Sequence, residues 1–169
     1  MQAALTEEPT ITLTGELARA FDDHHALVFR TAYRITGNAA DAEDVLQTIF
    51  LRLLRQQDSN AVHNQESYLR RAAVNTALDL IRSRREDQAA ELVDVPSGAR
   101  DPDAGDLRAA LRRALGRLTP KSAEIFALRF LEGVSNQEIA RTLGVSRVLV
   151  AVSVHRARKQ LQRDLNEYR

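Results

Sequence analysis

The sequence predicts an all-α chain of two small helical domains joined by a flexible acidic linker, and three observations carry that expectation. Apolar residues recur at helical intervals in one stretch after another, with no alternating run of the kind a strand needs. Leu, Ala, Arg, Glu and Gln dominate, while the aromatic and β-branched enrichment that marks sheets is thin. Charge is segregated along the chain, although the formal net charge is only +1. From Leu107 to Arg169 thirteen Arg or Lys face five Asp or Glu, an excess of +8, the balance of a polyanion-binding segment. Between Glu86 and Asp106 seven acids meet only Arg100, a deficit of −6.

Residues 1–15, with Glu7, Glu8 and Pro9 among several Thr, read as a loose arm. The first helix follows from Leu17, Phe21, Val28, Ala32 and Ile35, and Gly37 with Asn38 stops it. Ala42, Val45, Leu46, Ile49, Phe50, Leu53 and Leu54 stripe a second helix, whose first turn holds the acids that suit a positive helix end. Gln56 to Glu66 has no apolar period and reads as a loop. Tyr68, Leu69, Ala72, Ala73, Thr76, Leu80 and Ile81 stripe a third helix, closed by Arg82, Arg84 and Arg85. Residues 16–85 thus form one small helical domain. Residues 86–106 hold Pro96, Gly98, Pro102 and Gly105 and read as a linker.

Residues 107–169 form the second domain. Leu107, Leu111, Ala114, Leu115 and Leu118 make a fourth helix; Thr119 and Pro120 open a fifth as cap and first-turn proline, and Gly133 ends it. Ser135 with Glu138 is a capping box, so a short helix starts at Asn136 with Ile139 and Leu143 inward and small Ala140 at a crossing point. Gly144 supplies a left-handed turn, Val145 plugs the corner and Ser146 caps the next helix, which Val150, Val154, Ala157 and Leu161 anchor. Together these make a helix-turn-helix from about Asn136 to about Leu161, the geometry that projects a recognition helix into a major groove. A helical hairpin without a ligand is the bland alternative, and the surrounding +8 charge weighs against it. Arg147, Arg156, Arg158 and Lys159 are candidates for phosphate or base contact, Arg141 and Lys121 for phosphate alone.

Other classes find no support. With no cysteine there is neither a disulfide framework nor a thiolate metal site, and His24, His25, His63 and His155 lack metal spacing. No nucleophile elbow, Walker loop or paired-carboxylate motif stands out, so neither an enzyme nor a bound cofactor or metal is expected. No stretch is apolar enough to span a membrane and the N-terminus lacks a signal-peptide pattern, so a cytoplasmic protein is expected.

The segments Asp41-Ala-Glu-Asp-Val-Leu-Gln-Thr-Ile-Phe-Leu, Tyr68-Leu-Arg-Arg-Ala-Ala-Val-Asn-Thr-Ala-Leu-Asp-Leu-Ile-Arg-Ser-Arg-Arg and Leu118-Thr-Pro-Lys, with the helix-turn-helix, resemble a bacterial RNA polymerase sigma factor of the extracytoplasmic-function type. The resemblance runs from Phe21 to Leu161. It implies a transcription initiation factor whose N-terminal domain, region two, binds core RNA polymerase and opens the minus-ten element, while region four reads the minus-thirty-five element of promoter DNA. It also implies Asp41, Asp44, Gln47 and Phe50 as polymerase contacts. For Asp44 a helix-dipole acid, and for Phe50 a core residue, stay open as alternatives. Arg71, Asn75, Asp79 and Arg82 share one face of the third helix; family matches at Asn75, Asp79 and Arg82 imply a place near the minus-ten strand, with Asp79 orienting Arg82 or Arg71, and Arg84 and Arg85 are further minus-ten candidates. In the loop, His63, Asn64 and Gln65 correspond to the segment that captures a flipped base, with a solvated loop as the alternative. The acidic linker would thread the polymerase's RNA channel or act as a solvated tether.

The recognition helix departs from the family. Where a Gly-Thr-Val-Lys-Ser-Arg-Leu type of run is usual, this chain has Val148-Leu-Val-Ala-Val-Ser-Val. Minus-thirty-five contact would then involve Arg147, Val148, Ala151, Val152, His155, Arg156, Arg158 and Lys159, with base readout resting on methyl contacts, Ser153, Arg147 and Arg156. The same valines could instead bind a protein such as an anti-sigma factor. Thr48 in place of an acid and Tyr68 in place of Trp are milder departures. An autonomous helix-turn-helix regulator and a helical adaptor that binds no DNA are the competing readings.

Overall fold

In a computed structural model of the chain, residues 8–55, 64–90 and 104–166 are described. They form seven α-helices: α1 Glu8–Thr36, α2 Ala39–Arg55, α3 Gln65–Ala90, α4 Ala104–Arg117, α5 Pro120–Phe126, α6 Asn136–Leu143 and α7 Arg147–Asn166. No strand occurs among these residues. A π-helical turn, Ala127–Leu131, prolongs α5, its wide pitch marked by the Glu132 N–H donating to the Ala127 carbonyl at 3.0 Å.

Helices α1, α2 and α3 pack on one another, and α7 packs on α4, α5 and α6. The first group buries Val28, Ala32 and Ile35 of α1, Ala42, Val45, Leu46 and Ile49 of α2, and Leu69, Ala73, Val74, Ala77 and Leu78 of α3. The second buries Leu115, Leu118, Ile125, Leu128, Ile139, Val150, Ala157 and Leu161. These side chains join into one continuous apolar cluster, because α3 also touches α4 and α5, and α1 touches the π turn. The two small helical domains expected from the sequence are both present, and their buried residues are contiguous.

That second contact explains why α3 differs from its single apolar stripe. Val74, Ala77 and Leu78 are buried although they lie outside it, since α3 is covered by α1 and α2 on one side and by α4 and α5 on another. The helix ends also differ from expectation. α1 starts at Glu8, inside the stretch read as an arm; Pro9 is compatible with a first turn, whose N–H groups need no intrahelical acceptor. α3 continues past Arg85 to Ala90 and α4 begins at Ala104, so both run into the stretch read as linker. Gln65 and Glu66 belong to α3 rather than to the loop before it. Residues 1–7, 56–63, 91–103 and 167–169, including His63 and most of the expected linker, lie outside the described residues.

The helix-turn-helix forms from the signals written in its sequence. The Ser135 side chain accepts from the Glu138 N–H at 3.2 Å while the Glu138 carboxylate accepts from the Ser135 N–H at 3.2 Å, closing the capping box. Gly144 takes the left-handed conformation (φ 65°) that ends α6. Ser146 Oγ accepts from the Leu149 N–H at 3.1 Å and opens α7.

The two hydrogen bonds from Ser135, side chain first and backbone second, hold the Glu138 carboxyl below its usual value. A carboxyl lowered by folding stabilises the fold above its unfolded pKa, and that contribution is lost as pH falls through the folded pKa. Replacing Ser135 by Ala is expected to lower the unfolding free energy by about 1 kcal/mol at neutral pH. Urea unfolding repeated below the carboxylate range should show a smaller loss; an equal loss at both pH values would mean that Glu138 takes no part.

Candidate nucleic-acid interface

Three surfaces carry the residues singled out by sequence. The first is α2. Asn38, beyond its role in stopping α1, accepts from the Ala40 and Asp41 N–H groups at 2.8 and 3.3 Å and so caps α2. The cap turns Asp41 inward, where it is 3% exposed and both of its oxygens accept from the Arg84 guanidinium. Phe50 is also inside, 8% exposed and edge-on to Phe21 with ring centroids 4.9 Å apart. Asp41 and Phe50 therefore hold α2 in place and offer no surface to a partner. Asp44 and Gln47 are exposed, and Leu51 and Leu54 lie exposed along the same side of α2.

The second surface is the polar face of α3. Asn64 is not a free loop side chain: its Oδ1 accepts from the Ser67 N–H at 3.0 Å and its carbonyl from the Tyr68 N–H at 3.0 Å, which starts the helix. Arg71 Nε donates to Glu124 Oε1 of α5 at 2.6 Å, and Asn75 Nδ2 donates to the same oxygen at 3.0 Å. Asp79 lies 3.4 Å from Arg82 Nη1, so of the two arginines it could orient it is beside Arg82. Arg84 is engaged by Asp41, and Arg85 donates to the Gly116 carbonyl at 2.7 Å. Each of these cations is thus occupied, Arg84 on the α2 side of the helix and the others on the side toward α4 and α5 or beside it.

A second carboxylate repeats the pattern. Glu132 follows the π turn with its side chain 2% exposed, accepting from Thr31 Oγ1 at 2.8 Å and Arg34 Nη1 at 3.1 Å, with Arg70 Nε 3.6 Å away. Arg112 of α4 donates to the Thr36 carbonyl, placing a cation at the negative end of α1. Spacing alone did not single out Glu124, Glu132 or Arg112, although an acid at position 124, four residues before buried Leu128, is a signal that could have been read. Between α3 and α6 an open cleft of about 450 Å³ is lined by Asn64, Ser67, Arg70, Arg71, Glu138 and Arg141.

The third surface is α7. Val150, Ala157 and Leu161 are buried; Arg147, Val148, Leu149, Ala151, Val152, His155, Arg156, Arg158 and Lys159 are exposed. No carboxylate among the described residues pairs with Arg147, Arg156, Arg158 or Lys159. The cations of α7 face solvent, whereas those of α3 face carboxylates and a carbonyl.

Residues 20–86 match the family model for sigma-70 region 2, and residues 108–161 the model for sigma-70 region 4. The ECF RNA polymerase sigma factor SigE of Mycolicibacterium smegmatis is 35% identical over 175 residues, covering 93% of this chain and 68% of that protein. The chain belongs to the extracytoplasmic-function sigma factors. The RNA polymerase sigma-E factor of Streptomyces avermitilis is 32% identical, with 82% of this chain and 78% of that protein covered. Among solved structures, the sigma factor RpoE in complex with the anti-sigma factor NepR from Bartonella quintana aligns with a TM-score of 0.52 at 25% identity, covering 92% of this chain and 98% of that one. The protein is thus a transcription initiation factor, working with core RNA polymerase and promoter DNA. Among the described residues no helix is long and apolar enough to cross a membrane.

The matched segments give the clasps in this sigma factor a simple description. Region 2 supplies Thr31, Arg71, Asn75 and Arg85, and region 4 supplies Glu132, Glu124 and the Gly116 carbonyl. Replacing Glu124 by Ala leaves Asn75 and Arg71 without their shared acceptor and is expected to destabilise the chain by about 1–3 kcal/mol. A double-mutant cycle with Arg71→Ala, read by urea unfolding, should give a coupling of at least about 0.5 kcal/mol; additive losses would mean that the pair contributes nothing.

Proposed function

We propose that this sigma factor docks on core RNA polymerase through the exposed side of α2, with Asp44 and Gln47 foremost, that α3 meets the minus-ten strand through Asn75, Arg71 and Arg82, and that α7 enters the major groove at the minus-thirty-five element. The observation that carries the reading is the contrast in cation pairing. Arg147, Arg156, Arg158 and Lys159 of α7 are unpaired by acids among the described residues and available to phosphate, which supplies most of the affinity in such complexes. Arg71 and Asn75 are held by Glu124, so a melted strand reaches them once α5 has moved away. Polymerase binding is what draws regions 2 and 4 apart, and the stretch within 86–106 tethers them. Residues 16–85 and 107–169 are then the working units.

In this reading the protein lends recognition to a polymerase that carries out the chemistry. It acts in the cytoplasm, where its polymerase is. An anti-sigma factor is a further partner: the aligned RpoE was solved bound to one, and a protein that holds the two regions together would keep Arg71 and Asn75 covered.

Run-off transcription with core enzyme on a library of genomic fragments tests the whole reading. Discrete start sites that need this chain are expected, together with promoter affinity that falls steeply with salt. Asn75→Ala should still bind core polymerase but give about tenfold fewer open complexes, the effect of losing a contact of about 1.4 kcal/mol. A chain that ignores core polymerase and shifts a palindromic duplex unaided would refute the proposal.

A further inference from the structure

The direction in which each α7 side chain leaves the helix decides what the helix can read. At 3.6 residues per turn, the line directly opposite the buried Val150, Ala157 and Leu161 passes through Val148, Val152 and Lys159, with His155 and Arg156 to either side. Ser153 falls toward the buried side and is half-buried, and Arg147 also leaves the helix on the flank nearer the core. The two polar side chains nearest the start of α7 that were expected to read bases are therefore off the outward line. Its first two turns present methyl groups instead, with Val148 73% and Val152 39% exposed.

These valines sit in a cationic frame. No acid lies on α7 before Asp164, and Arg147, Arg156, Arg158 and Lys159 surround or follow them. A frame of unpaired cations around an apolar centre complements a major groove, where phosphates line the edges and the floor offers the C5-methyl of thymine as its apolar feature. An apolar protein partner would leave those cations facing no counter-charge. The helix start is fixed by Ser146, so the outward line is held in register rather than free to roll.

We infer that Val148 and Val152 read thymine methyl groups in the upstream promoter element, so that this sigma factor selects thymine there by apolar contact. The inference rests on the proposal that α7 enters the major groove. It assigns the two valines to base selection and the later cations, Arg156 and Lys159 among them, to the phosphates. It also gives the probe its form, because deoxyuridine differs from thymidine by the one methyl group concerned.

The test uses holoenzyme assembled from core polymerase and the full chain, on a promoter recovered by run-off selection. Thymidines of the upstream element are replaced singly by deoxyuridine and holoenzyme affinity is measured. A loss of roughly threefold to fivefold is expected at one or more positions, the effect of one methyl leaving water. Val148→Ala and Val152→Ala should each remove the response at its own position while leaving affinity for core polymerase unchanged. Both side chains are exposed, so the variants fold; Val152→Thr, which keeps a methyl, should retain part of the response. Indifference of the wild type to every substitution would overturn the inference, as would a response that persists in the double variant. Loss of core-polymerase or anti-sigma binding in the valine variants, with no change in the deoxyuridine response, would overturn it in favour of a protein-docking face. Failure to assemble a holoenzyme or to select any promoter would instead count against the proposed function.

Discussion

Withdrawing Glu124 and Glu132 almost entirely from solvent obliges the chain to bring them donors, and the partners described all come from α1 and α3: Arg71 and Asn75 for Glu124; Thr31, Arg34 and Arg70 for Glu132. A buried carboxylate deprived of its partners is far costlier than a surface one, because nothing replaces the water it gave up. The two acids therefore tie region 4 to region 2 at defined points, and the continuous apolar cluster forms around those points. Arg85 on the Gly116 carbonyl and Arg112 on the end of α1 extend the same clasp toward α4. The interface is therefore part apolar and part polar.

Spacing and capping made most of the local structure legible in the sequence. The helix-turn-helix was readable residue by residue, since the capping box, Gly144, Ser146 and the inward stripe are all set by neighbours within a few positions. The five helical stripes stood out for the same reason. What escaped was whatever depended on a distant segment. Val74, Ala77 and Leu78 break the single stripe of α3 because α3 has covering helices on two sides, one group of them supplied by residues beyond position 104. Glu124 and Glu132 entered the sequence reading only as entries against the basic charge, since nothing in their immediate neighbourhood names a partner so far back in the chain. Asp41 was read as an acid at a helix start, which it is, but its bond to Arg84 turns it away from any partner protein.

The site residues divide along the same line. Where a side chain's surroundings come from its own helix, as along the outward line of α7, sequence and structure agree on Val148, Val152, His155, Arg156 and Lys159, while Ser153 is turned toward the core. On α3 the residues that looked solvated and basic are engaged, Arg71 and Asn75 by Glu124 of the other half, Arg82 and Arg84 by Asp79 and Asp41 of their own, and Arg85 by the Gly116 carbonyl. Net charge could not reveal this, because a count of cations does not say which of them are already paired. The +8 balance of the C-terminal segment is only partly carried by α7, where five Arg or Lys face one Asp for +4, and two of the segment's few acids are placed against region 2.

This division gives the molecule two different relations to nucleic acid. With α3 as the proposed minus-ten face, a strand would compete with Glu124 for Arg71 and Asn75, an anion already held at 2.6 Å against one that arrives from outside. Such an exchange is close to balanced in charge, so it would be decided by whatever else moves α5. On α7 there is nothing to displace: cations and methyl groups already face out. Recognition by α7 is then limited by fit to the groove, and recognition by α3 by release of the clasp. A chain built this way holds the proposed minus-ten face of α3 covered while the proposed minus-thirty-five face of α7 is exposed, and the buried carboxylates that bind the two halves set the difference.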